Sequence, residues 1–113
     1  MSKLKRQMKE NQMMRMLDDA FRKDRNMVKI GKGNTKAHER TKFDICWGLL
    51  QEDRNFVTEA RFKSGGRADV FDITTGVVYE VICSETKKQC EEKVKKYPCE
   101  LEIIIVEAIK DGT

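Results

Sequence analysis

Apolar and polar residues alternate along the chain with periods that divide it into short elements. Residues 3–27 carry Met13, Met14, Met16, Leu17, Ala20 and Phe21 among lysines and arginines, and positions 13, 17, 20 and 21 share a helical face. The spacing predicts an N-terminal basic helix, solvated or loosely docked, that serves as a nucleic-acid arm or dimer contact. Gly31-Lys32-Gly33-Asn34-Thr35 interrupts this pattern and reads as a basic hinge, since no Gly-Lys-Ser/Thr phosphate loop follows a strand.

A second helix should take Asn34 or Thr35 as its N-cap and run to about Glu52. Its expected inner stripe is Glu39, Phe43, Cys46, Trp47 and Leu50, apolar except for the carboxylate at one end. Three strands should follow. Phe56 to Phe62 ends at Gly65-Gly66, Ala68 to Ile73 ends at Thr74-Thr75-Gly76, and Val77 to Cys83 is rich in β-branched residues. A third helix should begin near Ser84, present Lys87, Cys90, Val94 and Tyr97 along one stripe, and stop at Pro98. Leu101 to Val106 is apolar on both faces and reads as a buried strand. From residue 35 the order is α-β-β-β-α-β: an α/β class with a mixed central sheet flanked by helices.

Composition narrows the class. The 113 residues suit one domain with its own core, and 39% hydrophobic against 37% charged excludes collagen-like and low-complexity chains. The longest apolar run, Ile103 to Val106, is far too short to span a bilayer, so no membrane partner is expected. The N-terminus lacks an apolar signal core, so the expectation is a cytoplasmic protein, with an archaeal cell or a viral host cell as its setting. Cys46, Cys83, Cys90 and Cys99 form no CxxC pair, which argues against zinc and for reduced, mostly buried thiols. The net charge of +4 is uneven. Residues 1–36 hold 11 Lys/Arg against 4 Asp/Glu, and residues 37–113 hold 12 against 15. A basic arm (residues 1–30) ahead of a mildly acidic domain (31–113) points to a polyanionic partner.

The sharpest chemical feature is a pair of acids within apolar strands: Asp69 in Arg-Ala-Asp-Val-Phe and Glu80 in Val-Tyr-Glu-Val-Ile. A two- or four-residue turn sets them directly opposite each other, and a three-residue turn makes them diagonal neighbours. Two carboxylates that close raise each other's pKa unless a cation lies between them, and a hard divalent ion meets that need. The competing reading is two exposed acids on a solvated sheet face.

The element order, the Glu39 helix with His38-Glu39-Arg40, Gly-Arg-Ala-Asp69-Val and Tyr-Glu80-Val together resemble the PD-(D/E)XK nuclease superfamily over about residues 31–107. The nearest likeness is to small archaeal Holliday-junction resolvases. The resemblance implies a restriction-endonuclease-like core and a homodimer that hydrolyses DNA phosphodiester bonds, branched DNA among its substrates. It implies Mg²⁺ (or Mn²⁺), with no small-molecule cofactor. Carried over residue by residue, Glu39, Asp69 and Glu80 with the Val81 carbonyl would hold the metal, which lowers the pKa of a bound water. The family lysine should stand two residues after Glu80, where this chain has Ile82. Lys87, Arg67 and Lys63 are the candidate replacements, and an arginine there stabilises charge but hardly acts as a base. Its loss keeps open a second reading, an inactive nuclease-fold module that binds DNA or a partner.

Arg22, Lys23, Arg25, Lys29, Lys32, Lys36, His38, Arg40 and Lys63 are the expected DNA contacts, with His38 read as a surface residue. Glu85 is a further candidate acid at the mouth of the site, or a helix N-terminal acid, and Glu59 is expected to be exposed.

Overall fold

The computed structural model describes residues 2–19, 24–83 and 87–109. It comprises α1 (Lys3–Met14), α2 (Lys36–Gln51), β1 (Phe56–Arg61), β2 (Arg67–Asp72), β3 (Val77–Ile82), α3 (Lys87–Val94) and β4 (Glu102–Glu107). The protein is α/β, with a four-stranded mixed sheet in the order β1-β2-β3-β4. β1, β2 and β3 form an antiparallel meander, and β4 returns through α3 to lie parallel to β3. No helix is long and apolar enough to cross a membrane among the described residues.

Successive residues of a strand face opposite sides of the sheet, and Val70 and Phe71 accordingly enter two different cores. Phe71 joins Met13, Met14, Leu17, Phe62, Val78, Tyr97 and Leu101, while Val70 joins Phe56 and the α2 residues Cys46 and Leu49. The first core contains α1 itself. The basic N-terminal segment is therefore packed into the domain rather than set apart from it as an arm. Its helix is also shorter than the periodicity predicts: it ends at Met14, and Leu17 reaches the core through an isolated bridge to Phe62. Asp18 and Asn26 both lie against β1, where Asp18 N–H bonds the Arg61 carbonyl (3.0 Å) and Asn26 N–H the Phe56 carbonyl (2.7 Å). These bonds satisfy groups that an open sheet edge would leave unpaired.

α2 begins at Thr35, whose hydroxyl accepts the His38 N–H (3.1 Å). Its rotation differs from the expected one. The buried residues are His38, Thr41, Lys42, Cys46 and Leu49, while Phe43, Trp47 and Leu50 are 50%, 56% and 44% exposed. The inner face of α2 is thus polar in its N-terminal half and apolar at Cys46 and Leu49, while Phe43, Trp47 and Leu50 face solvent. β4 is half exposed rather than buried, because it is the sheet edge and among the described residues has β3 as its only strand neighbour. Cys46 and Cys90 are buried, whereas Cys83 and Cys99 are exposed, and all four are free thiols.

Candidate active site

The β2–β3 ladder pairs Val70 with Tyr79 and Asp72 with Val77, so the turn has four residues, Ile73 to Gly76. Extending that register by one pair sets Asp69 opposite Glu80, as a four-residue turn requires. Gly76 closes the turn at φ +81°, a conformation that suits glycine, and its N–H bonds the Asp72 carbonyl (2.8 Å).

Both acids are buried. Asp69 Oδ2 accepts the Val81 N–H (2.7 Å), and its Oδ1 lies 3.3 Å from His38 Nε2. Burial raises the Asp69 pKa, but the hydrogen bonds from His38 and Val81 outweigh it, so Asp69 stays ionised below its ordinary range. Glu80 goes the other way. Burial first, and the Asp69 charge second, push it up to about 7 against an opposing hydrogen bond from Tyr97. Tyr97 Oη lies 2.6 Å from Glu80 Oε1 and 2.7 Å from the Arg67 carbonyl, and Lys93 Nζ stands 3.6 Å from Glu80 Oε2. Glu80 Oε2 nonetheless has no hydrogen-bond partner. A buried carboxylate oxygen without a hydrogen bond, beside a second carboxylate, calls for a proton or a cation, and Lys93 at 3.6 Å supplies one cation.

Glu39 is anchored from four directions. Its oxygens meet Lys42 Nζ (2.8 Å), the Gly31 N–H (3.0 Å), Asn34 Nδ2 (2.9 Å) and His38 Nδ1 (2.8 Å). Burial opposes its ionisation, but these donors prevail and hold its pKa below the ordinary value. The Gly31–Thr35 segment is therefore a clamp on Glu39. An added Cβ at Gly31 would press on the Asn34 amide and stand 2.7 Å from Glu59 Oε1, so a side chain there would displace these polar ends.

His38 is not at the surface. It is buried and bridges Glu39 to Asp69, and the hydrogen bond to Asp69 raises its pKa despite burial. Glu59 is likewise buried rather than exposed. It adopts φ +48°, rare for a residue with a side chain, in the middle of β1 where the register sets it against Asp69. Lys42 is fully enclosed and bonds Glu39 and the Lys29 carbonyl, with Glu59 Oε2 at 3.9 Å.

Of these groups His38 and Asp69 line a cleft of about 320 Å³, together with Gly33, Asn34, Thr35, Val81, Cys83, Arg67 and Lys93, whereas Glu39 lines another groove with Val28, Ile30 and Phe43. Of the three candidate cations, Arg67 lines the cleft, while Lys87 and Lys63 are exposed and absent from its lining. Lys93 was not expected from the sequence. The α3 stripe through Cys90 and Val94 points to Lys87, yet Lys93, one residue from Val94, reaches Glu80 along its flexible stem. Ile82 is buried, so no cation is present at that position.

Among the expected DNA contacts, Lys32, Lys36, Arg40 and Lys63 are exposed, and Lys32 and Lys36 flank the cleft-lining residues 33–35. Arg25 lies against the β1 edge 3.6 Å from Glu10, and Lys29 pairs with Asp24. Arg22, Lys23 and Glu85 lie outside the described residues.

Among the described residues, no group of three or more His, Cys, Asp or Glu side chains is arranged to cage a metal ion. Mg²⁺ needs less, since one or two carboxylates with waters and substrate phosphates hold it. The orphaned Glu80 oxygen beside Asp69 fits that donor set. Comparison with protein-family models, curated proteins and solved structures gives no match.

Proposed function

We propose that the chain is a divalent-metal-dependent deoxyribonuclease with a restriction-endonuclease-like core, in which Asp69 and Glu80 hold Mg²⁺ or Mn²⁺. The observation that carries this reading is the buried Asp69–Glu80 pair: Asp69 lines a cleft that also holds Arg67 and Lys93, and Glu80 Oε2 has no hydrogen-bond partner, with Lys93 Nζ 3.6 Å away. A bound ion would neutralise charge on a phosphate and acidify a water beside it.

The chain's own residues divide the remaining work. Arg67 and Lys93 attract and orient a phosphodiester at the cleft, and Lys93, unlike arginine, suits proton transfer. His38 fixes the Asp69 carboxylate with its second nitrogen held on Glu39, so the three move as a unit. Glu39 then acts through His38, anchored by the Gly31–Asn34 clamp. Lys32, Lys36 and Lys63 supply backbone contacts whose contribution falls with salt.

The test is incubation of the protein with supercoiled, linear and four-way-junction DNA in Mg²⁺, Mn²⁺ or EDTA. Metal-dependent cutting that disappears in Asp69→Ala is expected. Cutting of no substrate under any metal condition contradicts enzymatic function. Salt-sensitive DNA binding without cleavage instead supports the inactive module, a reading favoured by buried Ile82 and by the ion pair that already occupies Asp69.

A further inference from the structure

The hairpin that joins β1 to β2 carries a further pocket beside the cleft. Its ladder sets Arg61 directly opposite Arg67. Like charges so placed repel, and the pair costs stability unless something answers it. The two residues line one hollow of about 350 Å³, together with Asp18, Phe62, Gly65 and Gly66. Arg67 also lines the Asp69 cleft, so the two hollows share this residue.

The turn that presents the two arginines is fixed from behind. Tyr97 donates its hydroxyl to the Arg67 carbonyl (2.7 Å), and its ring packs on Phe62 with centroids 4.9 Å apart. The Ser64 hydroxyl donates to the Lys96 carbonyl (2.7 Å). Gly66 adopts φ +85°, and an added Cβ there would run into the Tyr97 ring. Arg61, Lys63 and Arg67 are nevertheless exposed. Guanidinium groups carried on an ordered turn lose little freedom when an anion arrives.

We propose that Arg61 and Arg67 form a phosphate subsite, which takes the phosphodiester next to the one in the cleft on the same nucleic-acid strand. A phosphate relieves the repulsion between the guanidinium groups, each of which can offer parallel N–H donors to its oxygens. Asp18 in the pocket, and Glu59 at 4.0 Å from Arg67 Nε, offset part of the charge but face three cations, Arg61, Lys63 and Arg67. Because Arg67 borders both hollows, consecutive phosphates of one strand fit the arrangement better than two separate anions. The proposal rests on the nuclease reading for the occupant of the cleft. Binding at the hairpin itself requires neither metal nor cutting.

Proton–nitrogen correlation spectra of the full chain in EDTA, recorded as a 5′-phosphorylated thymidine trinucleotide is added, test it. The Nε–H signals of Arg61 and Arg67 and the amide signals of Gly65 and Gly66 should shift together and saturate with one dissociation constant. Arg61→Gln, checked for native far-ultraviolet circular dichroism, should weaken binding about tenfold or more. Lys5→Gln removes the same charge from an exposed position on α1 and should change it less than about twofold. Arg61→Lys keeps the charge without the planar fork and should recover only part of the loss. Equal weakening by Arg61→Gln and Lys5→Gln overturns the proposal, as does saturation that leaves the Arg61 signal unmoved. Hairpin shifts in a chain that cuts no DNA would remove the nuclease reading and leave this subsite. Metal-dependent cutting without those shifts would do the reverse.

Discussion

Asp69 and Glu80 face one another with opposite protonation tendencies, and that asymmetry has consequences for pH. The folded pKa of Glu80 is raised above its unfolded value, so the native state binds a proton more tightly. Stability of the metal-free protein should therefore fall as pH rises from about 4.5 to about 7, the value to which Glu80 is pushed. His38 acts in the same direction: its pKa is also raised, so its contribution is full below 6.5 and lost as pH climbs through the folded value. Asp69 and Glu39 are shifted down and withdraw their contributions only on acidification. Thermal melting in EDTA at pH 6 and pH 8 should thus show the lower midpoint at pH 8. Glu80→Gln should reduce that gap; an unchanged gap would mean that Glu80 is not the group responsible. Lys42 gives a second residue-scale prediction. It is wholly enclosed between Glu39 and Glu59, so Lys42→Met leaves buried carboxylates without their cation and should cost about 3–5 kcal/mol in denaturant unfolding. A loss below about 1 kcal/mol would show that water compensates the two acids.

At the scale of elements, α1 behaves as part of the domain. Glu10 is buried and meets Arg6, Asn55 and Thr74 at 2.7–3.1 Å, tying the helix to both the β1 entry and the β2–β3 turn. Burial resists its ionisation, but those hydrogen bonds, led by Thr74, lower its pKa, so its contribution is present above 4.5 and lost in acid. Leu17→Ala should cost about 2–5 kcal/mol, measured by urea unfolding. A negligible effect would return residues 1–30 to the status of a dispensable arm.

Much of this architecture was legible in the chain, for reasons particular to each element. The four strands carry β-branched residues between turn signals, so their bounds shift by only a residue or so, and the Thr74-Thr75-Gly76 turn limits the register. Thr35 marks the start of α2 by its capping chemistry. The rotation of α2 was not legible, because an apolar count selects Phe43 and Trp47 as the core face. The actual inner face buries His38, Thr41 and Lys42 beside Cys46 and Leu49, and its ion pairs to Asp69 and Glu59 are ones that periodicity does not register. The same blindness hid His38, Lys42 and Lys93 from the site. Their partners Asp69, Glu59 and Glu80 are distant in sequence, and the sheet brings them together. Glu59 escaped because alternation assumes extended backbone, and its φ of +48° breaks the pattern.

For the whole molecule, the modest net charge of +4 conceals a division of labour. Asp69 lines the cleft with Glu80 buried opposite it in the register, while Lys32, Lys36 and Lys63 are exposed outside it. DNA affinity should accordingly fall steeply with added salt, and each of Lys32→Ala and Lys63→Ala should shallow the dependence by about one counterion in a fluorescence-anisotropy titration. A slope unaltered by both would place the DNA on another surface. The central claim, that Asp69 and Glu80 form a cation site, is tested most directly by calorimetric titration of the protein with Mn²⁺ at pH 8. A saturable site that vanishes in Glu80→Gln, with the variant still folded, is the expected result. No binding by the wild-type chain, or equal binding by Glu80→Gln, would contradict it.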